Sequence, residues 1–432
     1  MGVAVIGGGV AGIVSALDLA DSGIKVYFIE SKPTIGGKMA ELAECSMGIS
    51  PKIVEVENHP NIELFSSCEV EEITGSAGNF RIKVSGKEIE VESIVLAPGY
   101  EVFENIPKSY AISHPDVVTS LEFEKLLSTS GPMKGELVKP SNGEKVKKIG
   151  FIQCIGSRCI ENEICSTVCC AYTATEARIV KERFPDVEVY IFYMDIRVFG
   201  RDEDLVKKIE DRYGVKYIRS RVPEVIPKDG SLSVKFEDLE SGKIEEMDLD
   251  MVVLSVGLLP SKSVSRLAEL TGAELDEYGF FKTSITNPIE TTVPGIFICG
   301  AATSPMKIAD SVAQGSGAAL RASIYAEKSK IETPEFEPLE TGEETRIGVF
   351  ICRCGKEMEN IDISAVAEET KSLEDVVHVN PDINTCEGAV DAIKNEIREY
   401  GLNRIVFAGC TPRKYEGMFR KACYEGGLNP YL

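Results

Sequence analysis

Residues 2–30 read GVAVIGGGVAGIVSALDLADSGIKVYFIE. The apolar stretch Val3–Ile6 predicts a strand, which runs into a GxGxxG pattern (residues 7–12) and a helix of small and apolar residues. The apolar stretch Lys25–Ile29 predicts a second strand, and an acidic residue follows it. Strand, glycine turn, helix, strand and acid occur in the order of a dinucleotide-binding βαβ unit, so the sequence predicts an α/β fold. The alternative is a glycine-rich turn in an unrelated α/β unit.

The motif residues have separate physical roles in such a unit. Gly7 allows the tight turn, Gly9 lets a pyrophosphate approach the backbone, and Gly12 lets helix and strand pack closely. The helix N-terminus offers free N–H groups and a favourable dipole to the phosphates. Glu30 is placed to accept hydrogen bonds from a ribose hydroxyl.

Later segments favour FAD as the dinucleotide. Gly37 and Lys38 lie in a GGK stretch that resembles the GG(R/K) stretch of two-dinucleotide-domain flavoproteins. Ala97 and Gly99 lie in IVLAPGY (residues 94–100), which resembles the ATG-type strand end near the flavin of those proteins. We therefore expect FAD as a cofactor.

A further segment, TTVPGIFICGAAT (residues 291–303), resembles the second FAD motif of these flavoproteins. That motif usually ends in Gly-Asp, whereas this chain has Gly300 and Ala301 and lacks the usual ribityl-binding acid. The next helix is predicted to open near Asp310 and Ser311. Its N-terminus would then stabilise negative charge on the pyrimidine ring of the reduced flavin.

Between the FAD segments, the sequence predicts a second Rossmann-type unit without a phosphate-binding turn. Residues 145–153 predict its first strand, residues 171–184 its helix and residues 187–194 its next strand. No GxGxxG joins that strand to that helix, so we do not expect NAD(P)H here. The stretch CIGSRCIENEICSTVCC (residues 154–170) stands in its place and holds five cysteines.

These cysteines suggest a [4Fe–4S] cluster, which binds four thiolates. The candidate ligands are Cys154, Cys165, Cys169 and Cys170, with Cys159 left over. Their spacing differs from the ferredoxin C-x2-C-x2-C pattern, and it leaves alternatives open. A redox dithiol needs only two cysteines, and zinc needs four but prefers separated C-x2-C pairs. Buried apolar thiols without a redox role are a further alternative.

Composition bounds the class of protein. The 432 residues are 43% hydrophobic and 27% charged, as in a globular protein of two or three domains. The net charge of −22 argues against nucleic-acid binding. The apolar runs are too short to cross a membrane, and the chain opens directly into a strand, so we expect a cytoplasmic protein without membrane insertion. In that compartment the thirteen cysteines are better explained as ligands or redox groups than as disulfides.

The C-terminal part predicts a separate small α/β domain. The FAD module ends near Lys330, and an acidic, proline-bearing linker follows before IGVFICRCG (residues 347–355) begins a new strand. A second cluster is plausible on Cys352, Cys354, Cys386 and Cys410. The alternative is that Cys423, which lies on a predicted helix, and Cys386 are ordinary helix or turn residues.

Four stretches of the chain carry a family resemblance: FIQCIGSR, CSTVCCAYTATEA, YIFYMDIRVFG and DSVAQGSGAALRA. They closely resemble the A subunits of the heterodisulfide reductases of methanogenic archaea, and the resemblance covers nearly the whole chain. The flavin subunit of the quinone-interacting oxidoreductase of sulfate reducers is a relative of that family. The resemblance implies a thioredoxin-reductase-like fold, bound FAD, no NAD(P)H, and a [4Fe–4S] cluster on Cys154, Cys165, Cys169 and Cys170.

The chain departs from the longer relatives of that family. They carry ferredoxin-like cysteines before the ATG-type strand, where RIKVSGKEIEVESIVLAPG here runs straight through. They also carry paired cysteines after the GG(R/K) motif, where this chain keeps only Cys45. The small C-terminal domain resembles one that opens the longer relatives. We therefore expect fewer relay clusters here, with partner subunits supplying the rest.

The predicted architecture is a two-dinucleotide-binding-domain, thioredoxin-reductase-like α/β flavoprotein with a small C-terminal α/β domain. The predicted parts are an FAD-binding domain (1–144 and 245–330), a degenerate NAD-like domain (145–244), a linker (331–346) and the small domain (347–432).

The first functional hypothesis is an FAD- and iron–sulfur-containing electron-transfer subunit of a heterodisulfide-reductase-like complex. It would pass electrons between a donor module and a disulfide-reducing or quinone-linked module. The expected partners are the electron-input and disulfide-reducing subunits, and a homodimer is also considered. The alternative is an NAD(P)H-dependent disulfide reductase that uses Cys169–Cys170 or Cys165–Cys169. A scaffold with FAD as a structural group is the third hypothesis. No catalytic residue is assigned.

Overall fold

The structure is a computed structural model that describes residues 1–42, 46–128, 131–239, 242–327, 337–340, 342, 344–353, 361–383, 389–409 and 412–430. Cys45, Cys354, Cys386 and Cys410 lie outside the described residues. The chain divides into two compact units. The N-terminal unit consists of Met1–Ser46 and Pro60–Lys328, and the C-terminal unit of Met47–His59 and Ser329–Leu432.

The strands are, in chain order, β1 (Val3–Ile6), β2 (Val26–Ile29), β3 (Ile62–Phe65), β4 (Val70–Ser76), β5 (Asn79–Val84), β6 (Lys87–Val91), β7 (Ser93–Leu96), β8 (Tyr100–Val102), β9 (Val117–Thr119), β10 (Lys148–Ile155), β11 (Glu188–Tyr193), β12 (Lys216–Arg219), β13 (Glu224–Lys228), β14 (Ser231–Asp238), β15 (Lys243–Leu249), β16 (Met251–Val256), β17 (Leu258–Pro260), β18 (Ile296–Ile298), β19 (Ile347–Cys352), β20 (Val376–Ile383) and β21 (Arg404–Ala408). The α-helices are α1 (Val10–Asp21), α2 (Ser46–Asn58), α3 (Ser120–Leu127), α4 (Cys169–Arg183), α5 (Arg201–Tyr213), α6 (Ser263–Thr271), α7 (Ile308–Ser323), α8 (Ile363–Lys371), α9 (Val390–Glu399) and α10 (Pro412–Gly426). Short 3₁₀ turns lie at Gly37–Glu41, Lys108–Tyr110 and Gly300–Ala302.

The first sheet of the N-terminal unit has the strand order β18-β7-β1-β2-β3, and all its pairs are parallel. Its central strand β1 is fully apolar and buried on both faces, as parallel strands between helices require. Helices α1 and α7 pack closely on one face of this sheet. Only glycine fits at position 315, since a Cβ there would lie 2.7 Å from the Ala11 carbonyl oxygen. Ser15 Oγ donates to the Gly315 carbonyl at 2.8 Å and satisfies its own buried hydroxyl.

The second sheet has the order β12-β11-β10-β16-β9 and is also parallel. Val252 of β16 pairs with Gly150 on one side and with Val117 of β9 on the other. The predicted NAD-like domain (145–244) is therefore too short, because β9 and β16 lie outside that range and complete its sheet. Helix α3, which follows β9 directly, packs its Phe123 against Phe151 in the same core.

Strands β8 and β17 form a two-stranded antiparallel ribbon in which Val102 pairs with Leu258. The chain leaves the first sheet through β8 and returns through β17, so both crossings between the two sheets run through this ribbon. Antiparallel sheets β4-β5-β6 and β13-β14-β15 accompany the first and the second sheet.

The C-terminal unit contains a parallel sheet of order β20-β19-β21 with helices α8 to α10. Phe350, Ile393 and Ile397 are almost fully buried at the centre of its core. Each such side chain contributes about 1.5–3 kcal/mol by leaving water. Helix α2 belongs to this unit by its contacts. None of the described helices combines the length and the apolar character needed to cross a bilayer.

Candidate functional site

The turn after β1 is a cradle that requires glycine at two positions. Gly7 has a φ of +112°, and a Cβ on it would lie 2.2 Å from the Ala97 carbonyl oxygen. A Cβ on Gly12 would lie 1.9 Å from the Gly7 carbonyl oxygen, whereas a Cβ on Gly9 meets nothing within 4 Å. Gly7 and Gly12 therefore close the turn, and Gly9 leaves open space at the N-terminus of α1. This is the arrangement that binds a pyrophosphate.

Glu30 follows β2 and is held by two backbone N–H groups. Its Oε2 accepts from Gly8 N–H at 2.5 Å, and its Oε1 accepts from Lys32 N–H at 2.7 Å. Gly37 approaches the cradle closely, with a φ of +56° and a Cβ position 2.9 Å from the Gly9 Cα. The acid is thus fixed at the ribose end of the cradle.

A cavity of about 850 Å³ begins at this cradle and reaches the helices of the second sheet. Its wall includes Lys38 beside the cradle, the strand-end residues Ala97 and Gly99, and the turn residues Gly300 and Ala301. All five were predicted as cofactor contacts, and the structure brings them to one cavity. Helices α3 and α4 form its far end.

Helix α7 points its N-terminus at the cavity. It begins at Ile308, two residues before the predicted start, and Lys307 precedes it without a side-chain cap. Ser311 is buried and lines the cavity, whereas Asp310 is exposed and lies outside the cavity wall. The structure therefore removes Asp310 from the predicted contacts, because the first turn presents backbone N–H groups rather than this carboxylate. Their dipole favours negative charge in the cavity.

These residues fit FAD. The glycine cradle, the Glu30 carboxylate and the N-terminus of α7 lie along one cavity, and they match the pyrophosphate, the adenosine ribose and the flavin ring of a single extended molecule. Where the usual acid is missing, Gly300 N–H donates to Gln314 Oε1 of α7 at 3.0 Å, which fixes the turn.

The thiol loop, residues 154–170, begins with a tightly constrained turn. Cys154 has a φ of +63° and Gly156 a φ of +68°, both in the left-handed region. A Cβ on Gly156 would lie 2.0 Å from Phe103 Cγ, so no other residue fits. Across the loop, the Ser157 and Ser166 hydroxyls are hydrogen-bonded at 2.6 Å, and Ser166 Oγ also accepts from the Leu258 N–H. A non-glycine residue in this region is uncommon and holds backbone strain, which the packing around it must offset.

Helix α4 begins at Cys169 rather than at the predicted Ala171, so Cys169 and Cys170 are its first two residues. The Cys169 thiol hydrogen-bonds to both Cys154 and Cys170. The bond between Cys169 and Cys154 lowers the pKa of Cys154, and the bond between Cys169 and Cys170 lowers the pKa of Cys170 to about 7. The same two bonds, together with burial, raise the pKa of Cys169 well above its usual range. The thiolate form is therefore favoured at Cys154 and Cys170 and disfavoured at Cys169.

Arg158 connects the thiol loop to the end of β11. Its guanidinium forms an ion pair with Asp195, whose other carboxylate oxygen accepts from Arg197 Nε at 3.1 Å. The positive charge of Arg158 acts on both Cys154 and Cys165. Asp195 stands near the end of the second strand, where a nicotinamide site would keep a ribose-binding acid. Here that acid is paired with Arg158 and Arg197. This pairing and the missing glycine turn both argue against a nicotinamide site.

Residues 1–315 match the family model described as pyridine nucleotide-disulphide oxidoreductase, which covers most of the chain. A protein of Archaeoglobus profundus that is named as similar to the heterodisulfide reductase A subunit is 31% identical over 81% of this chain and 69% of its own length. The chain belongs to the family of heterodisulfide reductase A subunits. Its residues 1–315 belong to the pyridine nucleotide-disulphide oxidoreductase family, and the predicted family is confirmed.

Two relatives from methanogens are more similar in sequence. The A subunit of the H(2):CoB-CoM heterodisulfide,ferredoxin reductase from Methanothermobacter thermautotrophicus is 36% identical over 76% of this chain. An iron-sulfur A subunit of the CoB--CoM heterodisulfide reductase of Methanopyrus kandleri is 33% identical over 76% of it. The chain spans just under two thirds of the length of these relatives, 64% and 65% respectively.

The fold is that of a thioredoxin reductase. The enzyme of T. acidophilum superimposes with a TM-score of 0.53, at 21% identity, over 74% of this chain and 96% of its own. The enzyme of Lactococcus lactis gives the same TM-score at 19% identity, over 75% and 98%. These figures confirm the predicted thioredoxin-reductase-like α/β flavoprotein fold.

The structure separates Cys159 from the other thiols of its loop. Cys159 hydrogen-bonds to the Glu161 carboxylate, whereas the remaining four cysteines interact with one another or with Arg158. A zinc ion needs its ligands about 2.0–2.3 Å from one point. Within the described ranges, no three His, Cys, Asp or Glu side chains are arranged to hold a single metal ion. A [4Fe–4S] cluster differs because each thiolate binds a different iron, so this finding bears on zinc alone.

In the C-terminal unit, Cys352 is the buried last residue of β19. It pairs with Ile383 of β20, and a Cβ on Gly409 after β21 would lie 2.9 Å from its Cβ. The ends of three parallel strands therefore meet at Cys352. The other three predicted ligands, Cys354, Cys386 and Cys410, lie outside the described residues. Cys423 is part of the hydrophobic core, and burial raises its pKa to about 11.

Sequence reasoning missed two features of the site. Glu176 is a buried carboxyl group in the cavity wall, although its position on a charged helix gave no signal of burial. Asp195 received no role of its own from the sequence, and its position after β11, parallel to that of Glu30 after β2, was the available signal.

Proposed function

We propose that this chain is an electron-transfer subunit that holds FAD in the cavity and a [4Fe–4S] cluster on Cys154, Cys165, Cys169 and Cys170. When bound, FAD exchanges electrons in pairs or singly, and the cluster carries them one at a time. The observation that carries the proposal is the position of the thiols. Val168, Ala171 and Tyr172, which flank Cys169 and Cys170, line the FAD cavity.

The residues around the thiols favour negatively charged ligands. Cys169 and Cys170 stand at the uncapped N-terminus of α4, whose dipole favours negative charge, and the lowered pKa of Cys170 agrees with this. Arg158 adds a positive charge beside Cys154 and Cys165, and Asp195 fixes its position. Thr167 Oγ1 donates to the Pro305 carbonyl at 3.1 Å and ties the loop to the segment before α7. Both cofactors would therefore be held by one connected group of residues.

We further propose that the chain works in a heterodisulfide-reductase-like complex. The name of its relative from Methanothermobacter thermautotrophicus includes H(2) and ferredoxin together with the CoB-CoM heterodisulfide. By this analogy, the chain passes electrons between a donor module and a disulfide-reducing or quinone-linked module in the cytoplasm. A homodimer and the domain ranges 331–346 and 347–432 remain predictions. The meeting of strand ends at Cys352 supports a second cluster with Cys354, Cys386 and Cys410.

The test is anaerobic purification followed by counts of iron, sulfide and flavin, with electron paramagnetic resonance of the reduced protein. Cys169→Ala should lose about four irons per chain relative to the wild type. Cys159→Ala is the matched control in the same loop and should keep the wild-type iron and spectrum. Equal iron in both variants, or a wild type without iron, would refute the cluster. Absence of iron together with a flavin that resists reduction would instead indicate a structural role for FAD.

A second candidate function is an NAD(P)H-dependent disulfide reductase. It is favoured by the contact between Cys169 and Cys170 and by the pKa of about 7 at Cys170, which is typical of a reactive thiol. The engaged Asp195 and the missing glycine turn speak against it. Rapid bleaching of the flavin by NADPH in iron-free protein would establish this second function.

A further inference from the structure

Glu176 is a carboxyl group buried in the wall of the flavin cavity. Its side chain projects from α4, is 1% exposed and lines the cavity. Ser120, the first residue of α3, donates its hydroxyl to Glu176 Oε2 at 3.3 Å. Glu124, one turn further along α3, lines the same part of the cavity. Two carboxyl groups from neighbouring helices thus face one end of the cavity.

The surroundings of Glu176 disfavour its negative charge. Burial raises the pKa of Glu176 well above its usual range, and the charge of Glu124 raises it further. The hydrogen bond from Ser120 acts in the opposite direction and is outweighed. Throughout the described part of the chain, no Lys or Arg forms an ion pair with Glu176. Burial and the neighbouring charge therefore both favour the neutral acid form of Glu176, and a buried neutral acid is a proton donor.

A chain of hydrogen-bonding groups passes through this acid. The Ser120 hydroxyl lies beside both Glu176 and the Tyr172 hydroxyl, and its one proton can be donated to either of them. The Tyr172 hydroxyl also donates to the Val256 carbonyl at 3.4 Å, which orients it. On the other side, Glu124 is only half-buried. Among the described residues, the titratable groups that act on Glu176 or respond to it are Glu124 from α3 and Tyr172 from its own helix, and Glu124 is the more exposed of the two carboxyl groups.

The proposed function creates a need for such an acid. A hydride donor delivers a proton and two electrons to the flavin together, whereas iron–sulfur clusters deliver electrons singly and without protons. Two electrons that arrive without protons would add two negative charges in the cavity, and one proton would reduce them to the single charge that the N-terminus of α7 favours. That proton has to come from a group in the cavity wall or from water.

We propose that Glu176 supplies this proton when electrons reach the flavin singly, an inference that rests on the FAD and cluster sites proposed above. The O–H bond of the Glu176 carboxyl group breaks and an N–H bond forms on the flavin ring, while the two electrons come from a one-electron donor. The Glu176 carboxylate then regains a proton from solvent over Glu124. Oxidation of the flavin by one-electron acceptors reverses these steps.

The test compares Glu176→Gln with Glu182→Gln as holoproteins. Glutamine preserves the shape of the neutral acid, and Glu182 is exposed on the same helix, ion-paired with Arg178. Flavin reduction by dithionite, a one-electron donor, is followed by stopped-flow absorbance in H₂O and D₂O. We expect Glu176→Gln to be about 100-fold slower, as for the loss of a general acid, and to lose its solvent isotope effect. Glu182→Gln should match the wild type.

A second readout does not depend on the cofactors. The infrared spectrum of the apoprotein at neutral pH should show the carbonyl band of a protonated carboxylic acid, which Glu176→Gln abolishes. The wild-type reduction rate should fall as the pH rises through the pKa of Glu176, because the acid form is lost, and the variant should lack this fall. Unchanged rates and pH profile, or loss of FAD from Glu176→Gln, would overturn the inference. A wild type without flavin would instead refute the proposed function.

Discussion

Replacing Gly156 by alanine tests the turn that starts the thiol loop. Gly156 combines a φ of +68° with a Cβ position 2.0 Å from Cγ and 2.1 Å from Cδ1 of Phe103. Phe103 is buried, and its N–H donates to the Gly257 carbonyl at 2.8 Å, so its ring is not free to move away. The substitution therefore introduces both backbone strain and a steric overlap in a packed region.

The two costs can be separated. The left-handed conformation costs a residue with a Cβ roughly 1–2 kcal/mol. Overpacking against a buried side chain adds about 1–3 kcal/mol, so we expect Gly156→Ala to lose roughly 2–5 kcal/mol of unfolding free energy. Gly230 is the matched control, because it has a φ of +77° and a Cβ on it meets nothing within 4 Å. Gly230→Ala should lose only the first amount.

Urea unfolding followed by circular dichroism measures both variants, since the chain has no tryptophan to report by fluorescence. The overlap is checked by a double-mutant cycle with Phe103→Ala. In that background, Gly156→Ala should cost no more than Gly230→Ala does in the wild type. The reasoning is refuted if Gly156→Ala is already no more destabilising than Gly230→Ala with Phe103 present.

Three further outcomes are expected. Gly9→Ala should keep the unfolding midpoint of the apoprotein and lower the FAD content, because its Cβ meets no protein atom within 4 Å but would enter the space for the pyrophosphate, whereas Gly12→Ala should lower both. In iron-free protein, alkylation of Cys170, which is 5% exposed, should rise with pH to half its maximal rate at about pH 7 as the thiolate forms, while Cys299, which is 0% exposed and has its pKa raised to about 12, stays unlabelled by mass spectrometry. Cys423→Ser should lower the free energy of unfolding of the C-terminal unit by about 1–3 kcal/mol, measured by urea titration, since it buries a hydroxyl group in an apolar core.

The FAD half of the site could be predicted because its requirements are local. A glycine turn needs particular residues within six positions, and the acid after β2 is recognised from the strand that precedes it. The structure brings Gly7, Gly9, Glu30 and Gly300 to one cavity accordingly. Local spacing also led to Asp310, and a shift of two residues in the start of α7 was enough to place it outside.

The second sheet shows what local patterns cannot give. Val117 pairs with Val252, and nothing in the short segment Val117–Thr119 reveals so distant a partner. Without that strand, the position of α3 cannot be predicted. Glu176 would then be predicted as an exposed charged residue on a polar helix. Its burial, and with it the raised pKa of its carboxyl group, exists only once α3 packs against α4. The pairing of Arg158 with Asp195 depends on the same long-range assembly.

The antiparallel pairing of Val102 with Leu258 places the entry and the exit of the second sheet side by side. The segment from Phe103 to Gly257 is thus one continuous insertion into the flavin-binding half. No strand of the first sheet comes from this segment. A segment with adjacent ends can be exchanged as one piece during evolution. A lineage can therefore replace a nucleotide-binding excursion by a thiol-bearing one and change the electron source of a flavin while its cradle stays as it was.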